Sequence, residues 1–538
     1  MYGAKVVRMT LSGPGQDLLE RFLAVTMEGT IPKNGDVVHV DEIAAKFAVF
    51  YEKVRNVVHY HDEHLVRKIF ILRAIRRRLF LVLASQKNIA AEPLVRELVR
   101  AGYLANDSVG NTKIAEVQGI IDNYYELTRQ IKAIHRRSAG LPDWVLDLTV
   151  SAIEEALFPL DVNDELAFDL LYKTIRSNLV VRGAQVKETE KDTQLFIAMQ
   201  RVFLRADGAQ IQYRLLLILY PDWKTLSGDA REAFVRELPR IKNDFDKLPR
   251  GRLSPLFVKF CNHYNIVYST VRDILNEARG HETLQEVLTS EEALERVTRV
   301  VYERRLQEEF IRFKRIAVFS VVSFFLSKIA IGLLAEIPIE RATDTFSLPV
   351  TIFSVLFPPV LMFIIIILFV RLPSEANLRL IVYEVKKSFY DPWPREYGIQ
   401  VPAQQSVVMK FFVTFFYLAI SIGIFFLATK VLLSLNFSIA NSVIFLLFTS
   451  LVVATGVKIY NRAQNLSLEE ENAGTLAFIF DLFIMPFVIL GHWMIARLTR
   501  FSVITIAINL IIELPFQIFI EFLENLRRFI KIKKEEID

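Results

Sequence analysis

Residues 348–370 read LPVTIFSVLFPPVLMFIIIILFV, an uncharged apolar run longer than the ~20 residues that cross a ~30 Å hydrocarbon core as helix. No comparable run precedes Ile316, and several follow it in close succession. The spacing predicts four spans, over 316–337, 348–370, 411–435 and 439–457. Two prolines, Pro358 and Pro359, stand side by side in the second and are expected to break or kink it, because each ring removes a backbone donor and crowds the preceding turn.

The loops on either side of these runs set the orientation. Arg371, Arg379, Lys386, Lys387 and Arg395 fall between the second and third spans, and Lys458 and Arg462 follow the fourth. The other side carries little besides Arg341 and Lys430. Basic residues mark the cytoplasmic face, and the charge-interrupted start of the chain has no apolar segment of the secretory type. Both termini are therefore expected in the cytoplasm, with the protein integral to a plasma or inner membrane.

The part before the spans is read as all-α. Helical periodicity dominates from 16 to 315, and β-type alternation is hard to find. The expected architecture is a large cytoplasmic helical domain over 1–288, a connecting helix over 289–315, then a polytopic α-helical membrane domain. After Asp41, which suits an N-cap, Ile43, Phe47, Phe50, Tyr51, Val54 and Val58 recur at helical spacing. The next helix is expected to turn Leu65, Ile69, Leu72, Ile75, Leu79 and Leu83 inward and to end in Arg73, Arg76, Arg77 and Arg78. The charged stretch 182–192 offers an internal boundary.

Thr289-Ser-Glu-Glu292 has the form of a capping box, and no Gly or Pro follows before Gly332. The soluble part and the first span are thus expected to share one rod, supported by pairs such as Glu295–Arg299 and Glu308–Arg312. Between spans two and three, 378–389 has an amphipathic pattern, which places a short helix at the membrane surface with Tyr390, Trp393 and Tyr397 at headgroup level.

Beyond the fourth span the pattern changes. The stretch 473–495 is apolar but holds Asp481, Pro486 and His492, and the residues Asn509, Glu513, Gln517, Glu521, Asn525 and Arg528 after it form a polar stripe. Either both segments cross, with the stripe facing helices or water, or the pair dips into or lies along the cytoplasmic leaflet. The second reading is the expectation for the last helix.

Composition excludes several classes. The chain is 52% hydrophobic with 42 Phe and 20 Gly, which favours helices in lipid contact. A formal charge of +5 gives no reason to expect a nucleic-acid partner. Cys261 is the single cysteine, so intrachain disulfides and cysteine-based metal centres are excluded. No phosphate-binding loop, dinucleotide fingerprint, nucleophile elbow or kinase motif is present, and no cofactor is expected.

The candidate chemistry lies in the membrane, where an ionisable residue is costly and often functional: Lys328, Asp481, His492 and Glu513. His59, His61 and His64 cluster within six residues and offer a metal reading, without the H-E-x-x-H spacing. Asp143 and Asp147 share a helical face. Arg76–Arg78 could meet anionic lipid headgroups. The leading functional expectation is a non-enzymatic scaffold that docks a protein partner or self-associates at the bilayer. A channel or transporter regulated by the soluble half is the alternative, and a lipid-processing membrane enzyme the third.

Overall fold

The computed structural model describes residues 10–28, 63–85, 90–135, 140–278, 284–288, 290–342, 346–369, 374–391, 396–403, 406–469 and 475–500. The helix expected after Asp41 and the polar-striped segment after 501 lie outside these residues. In chain order the main described elements begin with β1 (Thr10–Leu11), α1 (Gly13–Glu28), α2 (Glu63–Ser85), α3 (Ala91–Arg100), α4 (Asn111–Ile134), α5 (Leu141–Leu157), α6 (Val162–Asn178) and β2 (Leu179–Arg182). Next come α7 (Glu188–Val202), α8 (Gly208–Leu219), α9 (Gly228–Lys247), α10 (Ser254–Ala278), α11 (Glu291–Ile331), a π-helical turn (Gly332–Glu336) and α12 (Ile337–Ala342). The last described elements are α13 (Leu348–Phe369), α14 (Glu375–Phe389), β3 (Tyr390–Asp391), β4 (Tyr397–Gln400), α15 (Val407–Ser434), α16 (Ile439–Gln464) and α17 (Thr475–Arg500). The fold is all-α, with helices long and apolar enough to cross a membrane following a helical N-terminal part.

Two units interleave along the sequence. Of the described residues, one takes those within 22–166 and 187–258; the other takes those within 10–21, 167–186 and 259–500.

The first unit is helix packed on helix. Its core joins Ile71, Leu94, Leu98, Val117, Ile121, Val145, Ile153, Leu216, Val235 and Leu238, all nearly sealed from solvent. Helix α5 is its centre, because LTVSAI at 148–153 is buried on every side. On α2 the buried stripe is Phe70, Ile71, Ala74 and Ile75, whereas Ile69 is 45% exposed. The inward face is therefore rotated from the one hydropathy predicts. The reason is polar: Lys68 lies on the inner face and donates to both Asp207 carboxylate oxygens at 2.8 and 2.7 Å. Glu154 is buried beside it, receiving Gln210 Nε2 at 2.6 Å with Arg67 at 3.6 Å. Burial pushes the Glu154 carboxyl above its ordinary range. Periodicity cannot distinguish a paired inner lysine from an outer one.

The arginine run at the end of α2 makes ion pairs at the surface of this unit. Arg77 and Arg78 share Glu97, Arg78 also donates to the Pro93 carbonyl at 3.1 Å, and Arg76 reaches Asp143 at 3.4 Å.

In the second unit one helix dominates. From Glu291 to Ala342 the chain stays helical for 52 residues, roughly 78 Å of rod. Its start is set by Ser290, whose Oγ accepts Ala293 N at 3.1 Å. Arg299 acts electrostatically on Glu295, as the spacing suggests, and further pairs form along the rod. Glu295 accepts from Lys386 at 2.7 Å, and Arg312 pairs with Glu309 at 2.7 Å.

Among the described residues, four helical stretches are long and apolar enough to cross a membrane: Glu291–Ala342, Leu348–Ile367, Val407–Ser434 and Ile439–Gln464. Pro358 and Pro359 both lie inside α13, which continues through them without a break. Their missing N–H groups leave the Ser354 and Val355 carbonyls without an intrahelical donor.

Helix α17 packs along α16 at unusually short range. A Cβ on Gly491 would stand 2.1 Å from the Ser450 carbonyl oxygen and 2.5 Å from Ala454 Cβ. Ser450, Ala454 and Gly491 thus form the small-residue seam that lets two apolar helices touch backbone to backbone. The connection 465–474 reaches at most ~35 Å, too short to regain the far end of a 26-residue helix, so α17 returns antiparallel beside α16.

Candidate functional site

Two polar assemblies stand out in the second unit, one outside the apolar helices and one within them. The outer one is built on α14. The expected amphipathic helix forms, but its apolar face lies on protein: Leu378, Ile381, Val382, Val385 and Phe389 are all buried. Tyr390 and Tyr397, expected at headgroup level, are only 4% and 1% exposed. Trp393 lies outside the described residues. Periodicity identifies an apolar face without revealing its cover.

That cover is partly backbone. β4 pairs in parallel with β2, setting Leu179 opposite Tyr397 and Arg182 opposite Gln400. Gly183, at φ +85°, comes next against the Val401 carbonyl, where a Cβ would stand at 2.5 Å. β1 pairs antiparallel with β3, and Ser12 N donates to Phe389 O at 2.8 Å. Strands of two to four residues carry no readable alternation, which is why the sequence does not disclose them.

Side chains then fix α14 along the rod. Lys386 contacts Glu291 at 3.0 Å and Glu295 at 2.7 Å. Nine residues earlier, Asn377 Nδ2 donates to Tyr302 Oη at 2.7 Å, while its Oδ1 accepts Leu468 N at 2.7 Å and Ser467 Oγ at 3.2 Å. Tyr302 Oη also reaches the Leu466 carbonyl at 3.3 Å. One buried asparagine therefore joins the rod, the loop between the second and third apolar helices, and the segment leaving the fourth. Burial raises the Tyr302 hydroxyl well above its usual range and lifts that of Tyr390 to about 12, so both remain protonated donors. Rod and α10 are tied by Arg305–Asp273 at 2.8 Å and Arg304–Glu277 at 2.7 Å.

The inner assembly contains Lys328, the first intramembrane candidate. It is fully buried, and its Nζ bonds Glu336 Oε1. Its ammonium lies 5.6 Å from the Phe448 ring centre. In an unbroken α-helix, eight residues at roughly 100° each would set position 336 about 80° round from Lys328. The π-helical turn from Gly332 to Glu336 takes in one additional residue and rotates the helix beyond it back by roughly 100°. That local irregularity brings Glu336 over Lys328.

Glu340 comes next on the same face, one turn later, and is 2% exposed. Its Oε1 accepts from Asn441 Nδ2 at 2.6 Å, and its Oε2 lies 3.4 Å from Thr351 Oγ1. Ser354 Oγ stands 3.5 Å from Glu336 Oε2. Three ionisable groups from the rod are thereby enclosed by α13 and α16.

The remaining candidates do not join this cluster. His492 is exposed on α17, and its Nδ1 meets the Val488 carbonyl one turn back at 3.1 Å. Asp481 is in α17 and His64 in α2, with side chains outside the described set; Glu513, His59 and His61 fall wholly outside it. Among the described residues, no group of three or more His, Cys, Asp or Glu gathers as a metal centre. Hydropathy alone misses Glu336, Glu340, Thr351, Ser354 and Asn441. The available signal is Glu336 and Glu340 four apart, eight and twelve residues beyond Lys328, at the end of an apolar run.

Comparison with known proteins adds no family. No protein family, curated protein or solved structure matches the chain.

Proposed function

We propose that this chain is an integral membrane protein of the channel or transporter class, with its N-terminal helical part in the cytoplasm. An ion or polar solute visits the Lys328–Glu336–Glu340 cluster during passage. The observation that carries this reading is the burial of Lys328, Glu336 and Glu340, each 0–2% exposed, among helices that are otherwise apolar. Placing such charges in hydrocarbon is expensive, and helix packing alone would be served better by apolar side chains of the same volume. The π turn has a matching role, since such turns interrupt regular helices most often at functional positions. The helix that carries the cluster is also the one fastened to α14 through Asn377 and Lys386.

The test is flux through purified protein in sealed liposomes, across protons, monovalent cations and small polar solutes. Transport of at least one of these is expected, reduced tenfold or more by Glu340→Gln. Silence of the wild-type protein across the panel, with correct insertion verified by protease protection, would remove the proposal.

A docking role is the second reading. It is favoured by α15, whose apolar window has no buried residue and presents Phe411, Phe412, Phe415 and Phe416 outward. Crosslinking that recovers neither a specific partner nor a second copy would count against it.

A further inference from the structure

We infer that the species handled by this cluster is a proton, exchanged on the carboxylates of Glu336 and Glu340 and on the ammonium of Lys328. The inference rests on the transport reading and names what is carried.

The direction of the hydrogen bonds carries it. Glu336 Oε1 accepts from Lys328 Nζ, and its Oε2 accepts from Ser354 Oγ at 3.5 Å. Glu340 Oε1 accepts from Asn441 Nδ2 at 2.6 Å, and its Oε2 accepts from Thr351 Oγ1 at 3.4 Å. All four carboxylate oxygens therefore face N–H or O–H donors. A metal cation needs several oxygen lone pairs turned toward it, ~6 or more for calcium, and here it would meet hydrogens instead. An anion would meet carboxylates. Lys328, Glu336, Glu340 and Ser354 are all sealed from solvent, so a hydrated ion or a polar solute must first part the helices around them. A proton needs a single lone pair, and it can use these contacts as they stand, because each hydrogen bond already joins a donor atom to an acceptor.

Helix register sets the order of the groups. Thr351 and Ser354 are three apart on α13, and they meet Glu340 and Glu336, four apart at the end of the rod. The two carboxylate–hydroxyl contacts thus lie about one turn from each other, between helices that run in opposite directions. In the first step a Lys328 Nζ–H bond breaks, its electron pair stays on nitrogen, and an O–H bond forms on Glu336 Oε1. Ammonium and carboxylate become neutral amine and carboxylic acid. In the second step the Glu336 O–H bond breaks and a Glu340 oxygen takes the proton, which returns Glu336 to carboxylate; the four-residue spacing sets the two carboxyls on one helical face. A proton arriving at the amine restores the ammonium, and one leaving Glu340 restores its carboxylate. Each cycle moves one proton and consumes nothing else.

Proton entry into liposomes holding the purified protein tests this, read by a trapped pH-sensitive dye in sodium-free buffer, with valinomycin and equal potassium on both sides to hold the voltage at zero. Wild-type protein should carry protons down an imposed pH gradient. Lys328→Arg keeps the positive charge and the donors but does not give up a proton, so the rate should fall about tenfold or more. Glu336→Gln, of nearly the same shape and unable to take a proton, should give the same fall if the arginine variant does not fold. A wild-type rate in either folded variant would overturn the inference. Transport of a metal cation or a polar solute without proton movement would defeat it and leave the transport reading standing; silence toward protons and every solute would remove both.

Discussion

Among single residues, Lys328 makes the sharpest stability argument. Its partner Glu336 is 1% exposed, so Lys328→Ala strands a buried carboxylate and should cost about 3–5 kcal/mol. Replacing both together, Lys328→Met with Glu336→Leu, removes the two desolvation penalties and should be close to neutral in thermal unfolding. A double variant as unstable as the single one would mean the pair is needed to hold the bundle together, weakening its reading as a functional centre. Gly491 gives a second test. Gly491→Val adds atoms where even a Cβ would stand 2.1 Å from the Ser450 carbonyl oxygen, so α17 must separate from α16. Loss of disulfide crosslinking between cysteines placed at Ala454 and Val488 is the expected outcome. Background labelling should be low, because Cys261 is buried and its thiol is held well above the ordinary range.

At the level of elements, the π turn and α14 each do something that propensity cannot show. Deleting Leu333 removes the additional residue, so the turn should become regular α-helix while Glu336, now seven positions from Lys328, keeps its place about 20° from it. Thermal unfolding should then show a far smaller loss than Lys328→Ala; an equal loss would mean that the turn itself, and not the facing it creates, is required. Helix α14 is testable through pH. Its hydrogen bond from Lys386 keeps the Glu295 carboxyl below the ordinary 4.5. A carboxyl depressed in the folded state contributes stability that is full above its unfolded value and fades as pH falls through the folded one. Lys386→Ala should therefore lower Tm at about pH 6, and the gap from wild type should close toward about pH 3.5. A gap that holds constant across this range would assign the effect to lost packing of the lysine stem. The long rod and the apolar helices were legible because their signals extend over many residues. The α14 assembly was not, because the same amphipathic pattern fits a lipid surface and a protein surface equally well, and only the short strands Leu179–Arg182 and Tyr397–Gln400 decide between them.

For the molecule in full, class was readable and chemistry was not. Four apolar helices and an all-α N-terminal part follow from composition and period. Lys328 was visible as an anomaly, but its meaning depends on Glu340, which hydropathy assigns to a connection, and on Asn441, an ordinary residue at a helix start. Glu340 meets Asn441 because α12 and α16 converge at one end of the bundle, while Lys328 lies on α11 against Glu336. The proposal stands or falls on whether this convergence handles an ion. The decisive measurement is proton uptake, read by a trapped pH-sensitive dye, into liposomes holding wild-type or Glu340→Gln protein. Protein-dependent uptake that falls at least tenfold in the variant is the expected result; equal uptake by wild type, variant and empty liposomes would contradict it.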